Sequence, residues 1–250
     1  MALPSISIPS LNPTSLISGA ISAIFGGGDS SKDWRVRLSV PNLEGFSDSK
    51  VLKPLRDVGG LIFPYTPTIQ LSHTANYNDV PVTHQNYQFI AYENSRADTI
   101  TVSGPFNVED GAQALYWVAA LHFLRSVTKM FAGTDADAGN PPPILKFNAY
   151  GEYVFNNLPV VVRSFNIDLP QDADYIPADD SVLGALAGSF GGAIGGAIGS
   201  ALLGSAKTSR VPTKSTLTVQ LQPVYSREAA RQFSLTKFVS GGYVKTGGFV

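Results

Sequence analysis

Asn107-Val-Glu-Asp-Gly-Ala-Gln-Ala-Leu-Tyr-Trp-Val-Ala-Ala-Leu-His-Phe-Leu-Arg-Ser-Val-Thr-Lys-Met-Phe131 is the stretch on which the fold turns. Asn107 and Asp110 carry side-chain oxygens suited to a helix N-cap, and Glu109 and Asp110 suit the positive end of its dipole. From Ala112 onward the residues are apolar almost all round. The polar His122, Arg125, Ser126 and Lys129 fall at i, i+3, i+4 and i+7, a single stripe. A helix over 110–131 is predicted, closed by Gly133 as its C′ residue. Such a helix must be covered on most of its circumference, by a sheet on one side and by a neighbouring subunit on another.

The chain around it has a period of two. Trp34, Val36, Leu38 and Val40 alternate with Arg35, Arg37 and Ser39 before Pro41, the pattern of a half-buried strand. Leu61–Phe63 is a short apolar run, and Thr68–His73 alternates. Tyr87–Tyr92 and Thr99–Val102 read as two further strands, while the Asn76–Pro81 cluster reads as a loop. Beyond Pro141-Pro-Pro143, strands are expected at Ile144–Ala149, Tyr153–Phe155 and Val160–Leu169. The last would put Val160, Val162, Ser164, Asn166 and Asp168 on one face and Val161, Arg163, Phe165, Ile167 and Leu169 on the other. Leu217–Leu221 alternates again. The fold class is therefore mainly β with one long packed helix (α+β), an antiparallel assembly of about seven or more strands.

Composition narrows the chemistry. Charged residues are 15% of the 250 residues, against roughly 25% in ordinary soluble domains. The net charge is −1, which gives no electrostatic case for nucleic-acid recognition. There is no Cys, so disulfide scaffolds, thiolate metal sites and cysteine nucleophiles are out. So little charge suggests surface hidden in an assembly.

Two segments stand apart from the strands. Residues 1–31 form an N-terminal arm. Pro4, Pro9 and Pro13 exclude a continuous helix at its start, and residues 14–25 could form a short apolar helix ended by Gly26-Gly-Gly28. No Lys or Arg precedes the apolar stretch, which argues against a signal peptide. Residues 179–206 are a Gly/Ala-rich insertion, expected to be helical. Within it 182–204 are uncharged, and Gly184, Gly188, Gly192 and Gly196 form a small-xxx-small row. That length could cross a bilayer. A single crossing would nevertheless put the strands before and after it on opposite sides of the membrane. The core is then 32–178 plus 207–250, including a C-terminal tail.

The sequence carries no clear catalytic or metal constellation. His73 and His84 flank Asp79, but their spacing matches no metal motif. Asp168, Asp172 and Asp174 could pair for glycoside hydrolysis, yet equally suit a turn. Asp135–Asn140 resembles the start of a calcium loop, whose twelfth-position Glu would fall on Lys146. No GxSxG, GxxxxGK[ST] or HExxH occurs. The expectation is a non-enzymatic protein with no catalytic residues, no cofactor and no metal.

Longer phrases carry a resemblance. Leu61-Ile-Phe-Pro-Tyr-Thr-Pro-Thr-Ile69, His73-Thr-Ala-Asn-Tyr77, Thr83-His-Gln-Asn-Tyr87 and His122-Phe-Leu-Arg-Ser-Val-Thr-Lys-Met-Phe131 form one pattern. Gly139-Asn-Pro-Pro-Pro-Ile-Leu145, Asn157-Leu-Pro-Val-Val161, Phe233-Ser-Leu-Thr-Lys-Phe238 and Gly247-Gly-Phe-Val250 extend it. Over roughly 34–176 and 211–250 the chain resembles structural proteins at the tail tube/baseplate junction of contractile-tailed bacteriophages. The resemblance implies a tail-tube-like antiparallel β-sandwich or barrel with one flanking helix, repeated around a six-fold axis. It implies a virion protein, assembled in the host cytoplasm, whose partners are copies of itself in a ring, the tail tube and the baseplate hub.

The expected function is thus a ring connecting the tail tube to the baseplate hub. The alternative is a membrane-active protein that inserts 182–204 into the host envelope. Interface candidates are Trp34; the stripe residues His122, Arg125 and Lys129; Gly184, Gly188, Gly192 and Gly196; and the tail aromatics Phe233, Phe238, Tyr243 and Phe249. The last ten residues are expected to add to a partner as an extended strand.

Overall fold

The computed structural model describes residues 34–178 and 209–250, apart from 44, 45, 48, 50, 82, 85, 134, 136, 137 and 245–247. The arm 1–31 and the insertion 179–206, with its glycine row, lie outside the described residues.

In chain order the elements are β1 (Arg37–Leu38), α1 (Lys53–Asp57), β2 (Leu61–Ile62), β3 (Thr68–Gln70), β4 (His73–Val80), β5 (Phe89–Ala97), β6 (Ile100–Asn107), α2 (Gly111–Val127), β7 (Leu145–Ala149), β8 (Phe155–Asp168), β9 (Tyr175–Ala178), β10 (Ser209–Pro212), β11 (Lys214–Pro223), α3 (Arg227–Gln232) and α4 (Leu235–Val239). The protein is mainly β with a large antiparallel sheet and few helices. Seven strands form that sheet in the order β2-β1-β7-β8-β11-β6-β3, and β4–β5 and β9–β10 form two separate ribbons.

The sheet is strongly curled, by a simple argument of reach. Its two edge strands, β2 and β3, are joined by residues 63–67 alone. Strands lie about 4.8 Å apart, so six steps across a flat sheet would separate its edges by roughly 29 Å. The six-residue step from Ile62 to Thr68 reaches at most about 21 Å. The edges must therefore bend toward each other, closing the sheet part of the way into a barrel. The bridging segment runs close over β6: a Cβ on Gly104 would lie 2.7 Å from Pro67 Cβ.

The core fills the concave side. Leu38, Leu61, Ile62, Ile100, Val102, Phe147, Val160, Val219 and Leu221 from the sheet meet Tyr116, Ala120, Phe123 and Leu124 of α2. Trp117 donates from Nε1 to Ser215 Oγ at 3.0 Å, and that hydroxyl donates to Phe106 O at 3.0 Å, so the buried serine is satisfied on both sides. Tyr116 stacks on Phe106 with centroids 5.9 Å apart. Its hydroxyl accepts from Ile62 N at 2.7 Å and donates to Ile62 O at 3.1 Å. Burial pushes the phenol's pKa up, so it stays neutral at any physiological pH.

Several expectations are corrected. The helix begins where Asp110 predicts, with the Asp110 carboxylate accepting from Gln113 N at 2.8 Å, but it ends at Val127 rather than 131. Thr128 Oγ1 takes over its last carbonyls, those of Leu124 and Arg125, at 3.1 Å each. Gly133 has φ +72° but lies beyond that end, in the following loop. The Trp34–Val40 strand shrinks to β1, leaving Trp34 55% exposed. Asn76–Pro81 is not a loop: residues to Val80 belong to β4. Tyr153 is in a turn, and the strand starts at Phe155.

The single face assigned along 160–168 is also wrong. A bulge opposite the Gln220/Leu221 step leaves Arg163 as the extra residue. Before it Val160 and Val162 are buried. After it Phe165 and Ile167 pack on the core, while Ser164, Asn166 and Asp168 are exposed. One inserted residue exchanges the faces of a strand. Finally, the C-terminal tail is largely not extended: α3 and α4 make two short helical turns, capped by Ser226 and Ser234, and 241–244 form a turn.

Candidate interaction surface

The tail candidates come together, though within one chain. Phe233 lies 5.2 Å from Phe249, 5.8 Å from Phe238 and 5.9 Å from Tyr243 between ring centroids, and Phe249 stacks on Tyr225 at 5.0 Å. Lys237 Nζ sits 4.9 Å over the Tyr243 ring. Tyr243 Oη accepts from Ser234 N at 2.9 Å, pinning the turn. Asn156 Nδ2 donates to Val244 O at 2.7 Å, and Gly248 N to Asn156 O at 3.0 Å, which fasten the tail to the start of β8. The aromatics that suggested a docking tail are largely spent on folding the tail back.

His122, Arg125 and Lys129 form the expected exposed stripe on the outer side of α2 and its C-terminal extension. α2 packs on α1, β8 and the β9–β10 ribbon. Trp34, where the described chain begins, accepts at its carbonyl from Tyr150 N at 2.9 Å. His73 opens β4, Asp79 lies near its far end and His84 is in the connecting turn at φ +62°. Among the described residues no three His, Cys, Asp or Glu gather as metal ligands would. Asp168 ends β8, and the Asp174 carbonyl accepts from Thr213 N at 2.8 Å, one step beyond the Tyr175–Pro212 pair of the β9–β10 ribbon.

The most conspicuous surface feature was missed in the sequence. β4 and β5 pair with each other over eight positions and, among the described residues, touch other elements only marginally. In the half near the core the ribbon is polar, with Asn76 Nδ2 donating to Asn94 Oδ1 at 2.7 Å. In the distal half both faces turn apolar. One carries Tyr77, Tyr92 and Ile90, the two tyrosines meeting edge-on at 5.7 Å; the other carries Val80 and Phe89. All five are exposed, as is Tyr87 in the turn. The signal was half legible. Residues 87–92 read as a strand, but its partner strand, rich in Asn and Asp, reads as a loop by composition.

Asp98 holds the root of this ribbon. Its carboxylate accepts from Thr74 Oγ1, from Ser72 Oγ at 3.3 Å and from Arg96 Nε at 3.1 Å, while its own N–H donates to Ser72 O at 3.1 Å. The Thr74 hydroxyl, more than Arg96 or Ser72, holds the Asp98 pKa below the usual carboxylate range. The shift is downward, so the stabilisation is present above the unfolded carboxylate pKa and is lost as pH falls through the lower folded value. Amide protection at the ribbon root is expected to hold from neutral pH to about pH 4 and to fall below it. Asp98→Asn should remove that acid transition in hydrogen exchange; its persistence would place the titration elsewhere.

No family model matches the chain, and no curated protein matches it. Among the described residues no helix is long and apolar enough to cross a membrane.

Proposed function

We propose that this protein is a non-enzymatic structural component of a contractile phage tail, forming a six-fold ring that connects the tail tube to the baseplate hub. The observation that carries the reading is the β4–β5 ribbon. A lone two-stranded ribbon is marginal in water. This one exposes five apolar side chains near its end and, among the described residues, packs on little besides itself. Such a ribbon gains stability when a neighbouring copy packs on it, and head-to-tail contacts that close give rings. The curled sheet with one flanking helix, the low charge and the sequence resemblance support the same reading. The protein would act by packing, inside the virion, after assembly in the host cytoplasm.

The test is particle microscopy with this chain fitted into density at the tube/baseplate junction, paired with sedimentation of the purified protein. Ring density at that junction is expected, together with self-association. Tails without such a ring, and a chain that stays monomeric at every concentration, would overturn the reading.

A second reading, membrane activity of 182–204, meets one geometric constraint. Ala178 pairs with Ser209 at the end of the β9–β10 ribbon, so the segment 179–208 leaves and re-enters the fold at neighbouring positions. A membrane contact through 182–204 would have to go in and return on the same side. Liposome co-sedimentation of the full chain against a chain lacking 182–204 decides it: equal binding by both would eliminate the membrane reading.

A further inference from the structure

A cleft of about 400 Å³ lies between the folded-back tail and the β7–β8 turn. Its tail wall includes Phe238, Tyr243 and Phe249, and its turn wall is Glu152, Tyr153 and Val154. The walls are fixed relative to each other by the Asn156–Val244 and Gly248–Asn156 hydrogen bonds, so the cleft is preformed. Among its lining side chains only Glu152 is charged. Tyr153 is 87% exposed, an unusual state for so large an apolar surface beside a ready cavity. The volume falls in the range of pockets that take up small apolar groups.

We propose that the N-terminal arm of the same chain, through residues 14–25, fills this cleft. Three observations converge on that occupant. The first is where the arm starts: Tyr150 N donates to Trp34 O at 2.9 Å, which puts the arm's exit two residues from Glu152 at the cleft's rim. The second is reach. From Phe25 to Trp34 the chain extends up to about 30 Å, more than the short step from Tyr150 to the cleft requires. The third is chemistry. Residues 1–28 hold no Asp, Glu, Lys or Arg, and Ile17, Ile21 and Ile24 recur at helical spacing, the pattern that seats in an apolar groove. A charged arm would find a single charged wall side chain, Glu152, whereas an uncharged aliphatic one removes Tyr153, Val154 and Phe238 from water.

The inference does not depend on the ring. It is tested on the full chain carrying Tyr153→p-benzoylphenylalanine, mixed as isotopically light and heavy protein and photolysed. Cross-links from position 153 to residues 14–25 within one copy are expected. Links to the arm of a second copy, links elsewhere, or none at all would overturn it. A second measurement guards against a silent probe. Ile21→Asp in the arm is expected to lower hydrogen-exchange protection several-fold in 150–156 and 238–244, with protection of the sheet strands unaltered. Unchanged exchange in the cleft walls would overturn it as well.

Discussion

Tyr116→Ala is expected to lower the unfolding free energy by about 3–5 kcal/mol, the usual cost of emptying a buried aromatic site. The residue is fully buried, stacks on Phe106, and is one of the largest side chains in the core. It also does something that its volume does not measure. β2 is two residues long and lies at a sheet edge. Its Ile62 gives and takes a hydrogen bond with the Tyr116 hydroxyl, so α2 supplies a pairing that a further strand would otherwise supply. Tyr116→Phe separates the two roles. It keeps the ring and removes the hydroxyl, leaving buried backbone groups of Ile62 unsatisfied at about 1–3 kcal/mol. Denaturant titration of both variants gives the magnitudes. Exchange at the Ile62 amide locates the second effect, and a Phe variant as stable as the native chain would show that the hydroxyl contributes nothing.

The largest effect on assembly is expected from Ile90→Asp/Tyr92→Asp on the ribbon. Both side chains lie on one exposed face, so the unfolding of the seven-stranded core should move by no more than about 0.5 kcal/mol. Self-association should weaken at least 30-fold, as expected when a contact worth about 2 kcal/mol or more is lost. Arg125→Glu is the natural comparison, because it inverts a charge in the helix stripe. Rim charges contribute less than buried aromatics, so a smaller change is expected there. Sedimentation of the three proteins at one salt concentration ranks the two surfaces. If Arg125→Glu were the more damaging, the helix stripe and not the ribbon would be the principal contact.

What the sequence revealed depended on whether neighbours in the chain settled the matter. Asp110 capped the helix as expected, because a cap is a local event between residues three apart. The alternation over 217–221 was legible because β11 lies mid-sheet with one face buried. Arg163 was opaque. A bulge is set by the partner strand, and nothing near Arg163 announces that the phase reverses. β4 was opaque for another reason. Its Asn and Asp residues are poor strand formers by composition, and they are tolerated because both faces of the ribbon meet solvent. The tail aromatics were expected as interface residues, but that they pack on one another depends on contacts with β8 far away in sequence.

The pairing of Ala178 with Ser209 has a consequence for folding order. Ribbon β9–β10 covers one flank of α2, and it can zip only once the ends of the segment 179–208 have met. Closing a loop of roughly 30 residues costs about 2 kcal/mol more than closing a tight turn of a few residues, by the logarithm of their lengths. That flank of the helix should therefore be the last to be sealed during folding. A two-residue Asn-Gly turn in place of 179–208 should bring the sealing forward. The natural sequence keeps the late step, at a ribbon that stands outside the seven-stranded sheet.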